Sequence, residues 1–489
     1  MTSAWWGLGR SAVVVAAGAG LTYAAMSLPG TVSLTPTVER VAAPQAQVAP
    51  VSSAALSCPG PETEGLQGVP AIPGTTTVYA ASPPAEALQG VPVGSGSGTI
   101  AVATTPAGAA LGQTDRAASL VTGTLTGATA AQVTATGPLA PAVAALQTTL
   151  VTDGDDRALV SAPCLAPQAE LWLVAGGGGS TRRERVVLTN LGANPVVADV
   201  SVLGGAGLLP SSNGRNVSVP PRGRASLFVD ALVGPENTPV VHVVAGGGVL
   251  SAVLEDSWVD GATGRGADDA IPSAAPSQEQ VISAGVLDGP ARLRVGVPGS
   301  DETVVQARAL TKDGPIALPG DGVIRVPGSS VRDIDLGTVP AGAYAIQLRA
   351  DHPVVAGVMV ERRGTGPQSD FAWSTSTDPI TAVAGSPLPA GAAASLMLTS
   401  TGEASNASVY TVSESGAVDV EPYLLAADSA QSVDVSGARQ VWVRRTAGTV
   451  RAAVSIGLQA DDPRPLYSVV PLNPGVVSTT QVPVRQIPG

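Results

Sequence analysis

The chain has 489 residues, a formal net charge of −12 and 44% hydrophobic residues. That length is too great for one hydrophobic core, and that apolar content is too high for wholesale disorder. The acidic balance argues against nucleic acid, whose phosphates call for a basic surface. Aromatics are only 3% and the apolar mass is mostly Ala and Val. Each core must therefore be built from small side chains, and the branched Cβ of Val favours strands. The 58 Gly and 42 Pro recur between short Val-rich runs, which is the punctuation of an all-β chain.

Residues 11–28, SAVVVAAGAGLTYAAMSL, carry no charge; Arg10 precedes them, and Trp5 and Trp6 sit where an interfacial aromatic belt lies. The segment is just long enough to cross a bilayer. It is also at the long end for a signal peptide, with Ala25-Met26-Ser27 as a small-residue cleavage site. Two expectations stand side by side: a signal anchor held in the cytoplasmic membrane through residues 11–28, or a signal peptide removed near Ser27. Either places the remainder outside the cytoplasmic membrane, with Arg10 inside. Residues 29–50, rich in Pro, Ala, Thr and Val, read as an extended linker.

The rest of the chain repeats itself with a period of about 100 residues. Each copy opens with a strand, a polar turn and another strand. These read TVYAASPPAEALQGV from Thr77, VVLTNLGANPVVADVSVLG from Val186, LRVGVPGSDETVVQARAL from Leu293 and LMLTSTGEASNASVYTV from Leu396. A strand pair follows later, as in AYAIQLRADHPVVAGVMVE from Ala343 and RQVWVRRTAGTVRAAVSI from Arg439. The runs alternate with period two. Tyr344, Ile346 and Leu348 share one face while Gln347 and Arg349 share the other; Ile334 and Leu336 oppose Asp333 and Asp335. One dry and one wet face per strand predicts antiparallel sheets packed face to face.

The expected architecture is all-β, tandem immunoglobulin-like β-sandwich modules in a row. The modules are bounded at 51–168, 169–278, 279–380 and 381–475, with a C-terminal tail at 476–489. A β-propeller, each copy supplying two four-stranded blades, is the alternative. Cys58 and Cys164 bracket the first module, and two cysteines in an exported chain are expected to pair. Closing a loop of roughly 100 residues is worth about 4–5 kcal/mol in the chain-entropy account.

The N-terminal apolar segment, SCPGP around Cys58, APC at Cys164 with ELWLVAGGG after it, and RRERVVLTNLGANPVVADVSVLG carry a resemblance. With these the chain resembles the uncharacterised exported proteins of actinobacteria grouped as a domain-of-unknown-function family. The resemblance covers nearly the whole chain and implies an envelope-associated protein. It implies no catalytic residue.

A search for chemistry returns little. His242 reads as a sheet residue and His352 as part of the turn Asp351-His352-Pro353; neither has a Ser in a nucleophile elbow. Two distant cysteines and two isolated histidines do not make a zinc site. Asp153, Asp155 and Asp156 have part of a calcium-loop spacing but lack its glutamate, so they read as a hairpin tip, as do Asp268-Asp269 and Asp461-Asp462. Gly176–Gly179 and Gly246–Gly248 lack the helix and Lys of a phosphate loop and read as wide turns or joints.

Arg182-Arg183, Arg362-Arg363 and Arg444-Arg445 read as solvated strand edges. Trp258, Trp373 and Trp442 are the candidate partner-binding residues, with packing between modules as their other reading. No cofactor or metal site is expected. The sequence supports a non-enzymatic envelope scaffold or binding protein that presents its modules to envelope proteins or cell-wall glycans. The alternative is a cell-wall glycan or polysaccharide-acting enzyme using paired carboxylates.

Overall fold

In the computed structural model the Val- and Ala-rich runs are strands and the Gly- and Pro-rich stretches turn between them. The structure describes residues 12–13, 15–19, 47–60, 74–126, 129–179, 181–458 and 464–481. Most of the apolar segment 11–28, the linker up to residue 46 and Asp461-Asp462 lie outside the described residues. Among the described residues no helix is long and apolar enough to cross a membrane.

The strands form face-to-face sheet pairs. The first pair runs from Ser53–Cys58 to Ala158–Pro163 and the second from Glu170–Val174 to Thr263–Ala270. The third runs from Ser277–Leu287 to Ser369–Thr375 and the fourth from Val383–Pro387 to Tyr467–Leu472. Every pair has the same antiparallel order, first–sixth–third–fourth strand in one sheet and fifth–second–seventh–eighth in the other, when the split fourth strands Gly207–Leu209 with Val217–Val219 and Gly314–Ala317 with Val323–Val326 are each counted once. In the third pair the sixth and seventh strands are one continuous strand, Gly342–Arg363, which crosses from one sheet to the other. Asp351-His352-Pro353 therefore lies within this strand, not at a turn, and is exposed.

Compared with an immunoglobulin sandwich, the second strand still pairs with the fifth and the third with the sixth. The first strand, however, lies beside the sixth and the seventh beside the second, an exchange of the two outer positions. The two sheets of a pair face each other across a core rather than radiating as blades, so the chain does not build the propeller alternative.

Period-two alternation explains each core. In the strand Ala291–Gly296, Leu293 and Val295 point into the third pair's core. Ile100, Val102, Val133 and Val78 fill the first pair, and Leu188, Val200, Val243 and Leu254 the second. Leu396, Leu398, Val443 and Val454 fill the fourth. The first core is the poorest in large aliphatics and contains both cysteines, joined as the disulfide Cys58–Cys164. The neighbouring main-chain bridge between Ser57 and Leu165 ties the same two segments.

The pairs do not run on as a row. Their eighth strands pack against one another in a cycle: Ala158–Pro163 against Thr263–Ala270 and Tyr467–Leu472, and Ser369–Thr375 against the same two. Trp442 and Tyr410 of the fourth pair pack on Ala81, Leu88 and Ala142 of the first. Val48–Thr479 is thereby one compact unit. The physical reason is that the outward sheet faces are not uniformly wet. Val441 and Val443 enter the fourth pair's own core, while Trp442 between them buries completely against the first pair.

Candidate functional site

Carboxylates gather where the second and third pairs meet. On the core face of the second pair, Glu184, Asp256 and Asp268 sit opposite one another across three neighbouring strands. They continue the line of Val186, Leu254 and Ala270 and are buried. Asp370, on the third pair's eighth strand, is buried nearby and raises Asp268 electrostatically.

Each carboxylate is held by main-chain or ring N–H groups. Asp370 Oδ2 accepts from Leu159 N at 3.0 Å in the first pair and from Tyr467 N at 2.9 Å in the fourth, while Oδ1 accepts from Phe371 N at 3.0 Å. Asp268 Oδ2 accepts from Trp373 N at 2.6 Å, and Asp256 Oδ2 from the Trp373 indole at 2.9 Å. Glu184 Oε1 accepts from Gly178 N at 2.7 Å and also from Gly177 N, so the glycine run 176–179 wraps a carboxylate rather than a phosphate. Eighth strands are sheet edges with unpaired amides, and a buried amide without an acceptor is costly. Asp370 supplies acceptors to the edges of three pairs at once.

Burial dominates the proton affinities. It pushes Asp268 well above the usual carboxylate range, with Asp370 and Asp256 adding to the rise. Burial likewise lifts Asp370 well up, against three amide hydrogen bonds and Arg157. Glu184 is raised by burial and then by Asp256. Arg182 is the cation on Asp256: it pairs with that carboxylate, and its guanidinium lies 4.6 Å from the Trp258 ring and 5.0 Å from Phe371. It is interior, not a solvated edge, because Asp256 and two aromatic faces replace its water.

Arg294 anchors the same seam. It is fully buried, forks onto Asp333 at 2.8 and 2.9 Å, and donates to the carbonyls of Ala175, Pro239 and Asn237 in the second pair. Gly357 faces Arg294 across the sheet, and a Cβ there would lie 2.9 Å from Val174 O, so the close approach needs glycine.

The three tryptophans fall inside these seams. Trp373 and Trp442 are buried and Trp258 is half-buried. Trp373 joins the third pair to the second and Trp442 the fourth to the first, so neither offers its ring to a partner. His242 stacks on Trp172 at 3.8 Å and binds Glu170 at 2.9 Å on an outward sheet face. Asp156 pairs with Arg183 across the first and second pairs, and among the described residues no three His, Cys, Asp or Glu come together as metal ligands. Asp268-Asp269 lie in a strand, not a hairpin tip. The burial of Asp256 had a sequence signal: period two from Leu254 places it and Trp258 on the core face.

An open cleft of about 720 Å³ lies between the third and fourth pairs. Arg362 and Asp288 stand on one side, and serines of the fourth pair's second sheet on the other. Tyr467, whose N–H is held by Asp370, forms part of its lining.

The class is thus an all-β protein of face-to-face sheet pairs with charged groups sealed into the seams. Within that class the chain belongs to the family of unknown function DUF5719, which it matches over residues 120–436. No curated protein matches it. A crystal structure of Thermotoga maritima 1070 is 16% identical over 21% of this chain and 93% of that one, with a TM-score of 0.17. A tetra-tandem repeat from the extending region of a large adhesion protein is 14% identical over 77% and 91%, with a TM-score of 0.10. A glycoside hydrolase family 32 structure from Bifidobacterium adolescentis is 10% identical over 88% and 96%, with a TM-score of 0.14. Superpositions this loose carry neither fold nor function to this chain.

Proposed function

We propose that the chain is an exported structural and interaction protein of the cell envelope. It acts as a non-enzymatic scaffold whose tandem sandwich modules lie outside the cytoplasmic membrane, and it works through envelope proteins or wall glycans. Residues 11–28 hold it to the membrane, or cleavage near Ser27 releases it. The observation that carries this reading is the fate of the carboxylates at the junction of the sheet pairs. Most glycan hydrolases set two carboxylates about an open cleft. Asp256, Asp268 and Asp370 are instead sealed from solvent and occupied by N–H groups of neighbouring sheets. The disulfide supports an oxidising compartment.

Fractionation of a C-terminally tagged chain tests the location. The tag is expected in the envelope or medium and open to protease added outside intact cells, with Cys58 and Cys164 closed to alkylation until reduced. Recovery from the cytosol with free thiols would sink the proposal. Incubating the purified chain with envelope polymers tests the non-enzymatic part, and new reducing ends would overturn it.

A further inference from the structure

The fourth strand of each pair is a sheet edge, and in three pairs it is short or broken. Ala110–Thr114 has five residues, while Gly207–Leu209 with Val217–Val219 and Gly314–Ala317 with Val323–Val326 are split. Val418–Leu425 of the fourth pair is an unbroken run of eight, and among the described residues it pairs with no strand but Ser405–Val412. A long open edge is a template for another strand. Leu425 enters the fourth pair's core and Tyr423 packs against it, so Val418, Val420, Pro422 and Leu424 lie on the outer face. Leu424 is 81% exposed, the highest figure for a large apolar side chain among the described residues, and Val418 and Val420 are exposed beside it. Tyr410 and Val412, opposite Val420 and Val418 on the neighbouring strand, are buried against the first pair. The exposed row thus continues a seam that is already closed on its inner side.

Main chain and charge decide what fits. Pro422 stands opposite Ser408 and has no N–H, so it and its alternates turn their main-chain groups away from that ladder. The free edge therefore presents the N–H groups of Val418, Val420 and Leu424 with the carbonyls of Val418, Val420 and Pro422. Asp419 and Glu421 alternate with these residues on the other face and are exposed. Glu421 accepts from the Tyr423 hydroxyl, and neither carboxylate has an ion pair among the described residues. A second copy of the chain, itself at net −12, does not suit this edge. Paired antiparallel about Val420, Asp419 of each copy would stand opposite Glu421 of the other, and like charges so placed are destabilising. The complementary strand alternates apolar with basic residues.

We propose that Val418–Leu425 takes up an extended segment of a partner protein, alternating apolar and basic residues, as an added antiparallel strand. Its apolar side chains lie beside Val418, Val420 and Leu424, and its basic ones reach Asp419 and Glu421. This deepens the scaffold reading by naming the surface and the kind of protein held, and it rests on that reading for the partner's presence. Fluorescence anisotropy of the full chain in detergent tests it with labelled eight-residue probes: Arg and Val in alternation, Glu and Val in alternation, and four Arg followed by four Val. The alternating Arg–Val probe is expected to bind about 10-fold or more tighter than the others. Asp419→Asn combined with Glu421→Gln should weaken it about 5- to 10-fold, the worth of two exposed ion pairs. Val420→Pro should abolish binding by removing an edge N–H that the strand Ser405–Val412 does not use. If Val420→Pro melts early, probe chemistry reads the same loss on the unaltered protein: N-methylation of the probe's valines should abolish binding, and N-methylation of its arginines should spare it. No binding of the alternating Arg–Val probe, equal binding of either other probe, or binding unchanged by the charge variant or by valine methylation would each overturn the proposal. So would a dimer of the chain that Val420→Pro dissolves, which would put a second copy on the edge. Binding by a chain that fractionates with the cytosol would overturn the envelope reading and leave the edge standing.

Discussion

Leu293 and Arg294 are neighbours on one strand and both are fully buried, yet they belong to different kinds of interior. Leu293 enters the third pair's core, among Val358, Ile346 and Val305, where any apolar side chain of similar volume would serve. Arg294 enters the seam toward the second pair, where its donors meet one carboxylate and three named carbonyls. Dry cores hold each sheet pair together. Charged seams fix how one pair sits on the next, because a guanidinium fork with the wrong partners leaves buried groups unpaired.

The largest effect should come from breaking this contrast directly. Arg294→Met removes the fork and strands Asp333 and the carbonyls; urea denaturation is expected to show a loss of about 3–5 kcal/mol. Leu293→Ala should cost about 2–5 kcal/mol by leaving a cavity. A neutral Arg294→Met would mean that the seam is filler rather than a lock. Trp442→Ala tests the closure between the fourth and first pairs and should cost about 3–5 kcal/mol. Limited proteolysis of that variant should cut first near Ala85–Leu88, which packs on Trp442 and gives Tyr410 a carbonyl at Glu86.

Replacing both cysteines by serine should cost about 2–5 kcal/mol, read by thermal unfolding with and without reductant. The first core, with few large aliphatics, is expected to open before the others. The smallest effect concerns protons. Burial raises the Asp268 carboxyl in the folded chain. Its contribution is therefore complete below the ordinary carboxylate range and is lost as pH rises through the raised native value. Asp268→Asn keeps an acceptor for Trp373 N without the charge. As pH rises from the ordinary carboxylate range, urea denaturation should show the variant losing less stability than the parent. Parallel pH profiles would show that Asp268 is ionised in the native seam.

Much of the fold was legible because burial on a strand has a period of two. Val441 and Val443, or Ile346 and Leu348, announce a core face without any knowledge of their partners. The disulfide was legible from its place at both ends of the weakest core. The seams were not. Trp442 and Arg294 occupy positions that alternation marks as outward, and an outward position is wet only if nothing packs on it. Asp268 read as a turn residue because a carboxylate pair usually is one; only neighbouring main-chain N–H groups make it an interior residue.

The amino-acid sequence by itself determined that this is an all-β chain of sheet pairs, since each strand's two faces are written in adjacent residues. Only the tertiary structure decided that the pairs close on one another and seal their carboxylates. That closure depends on amides, carbonyls and rings contributed by segments hundreds of residues apart, which no local pattern records.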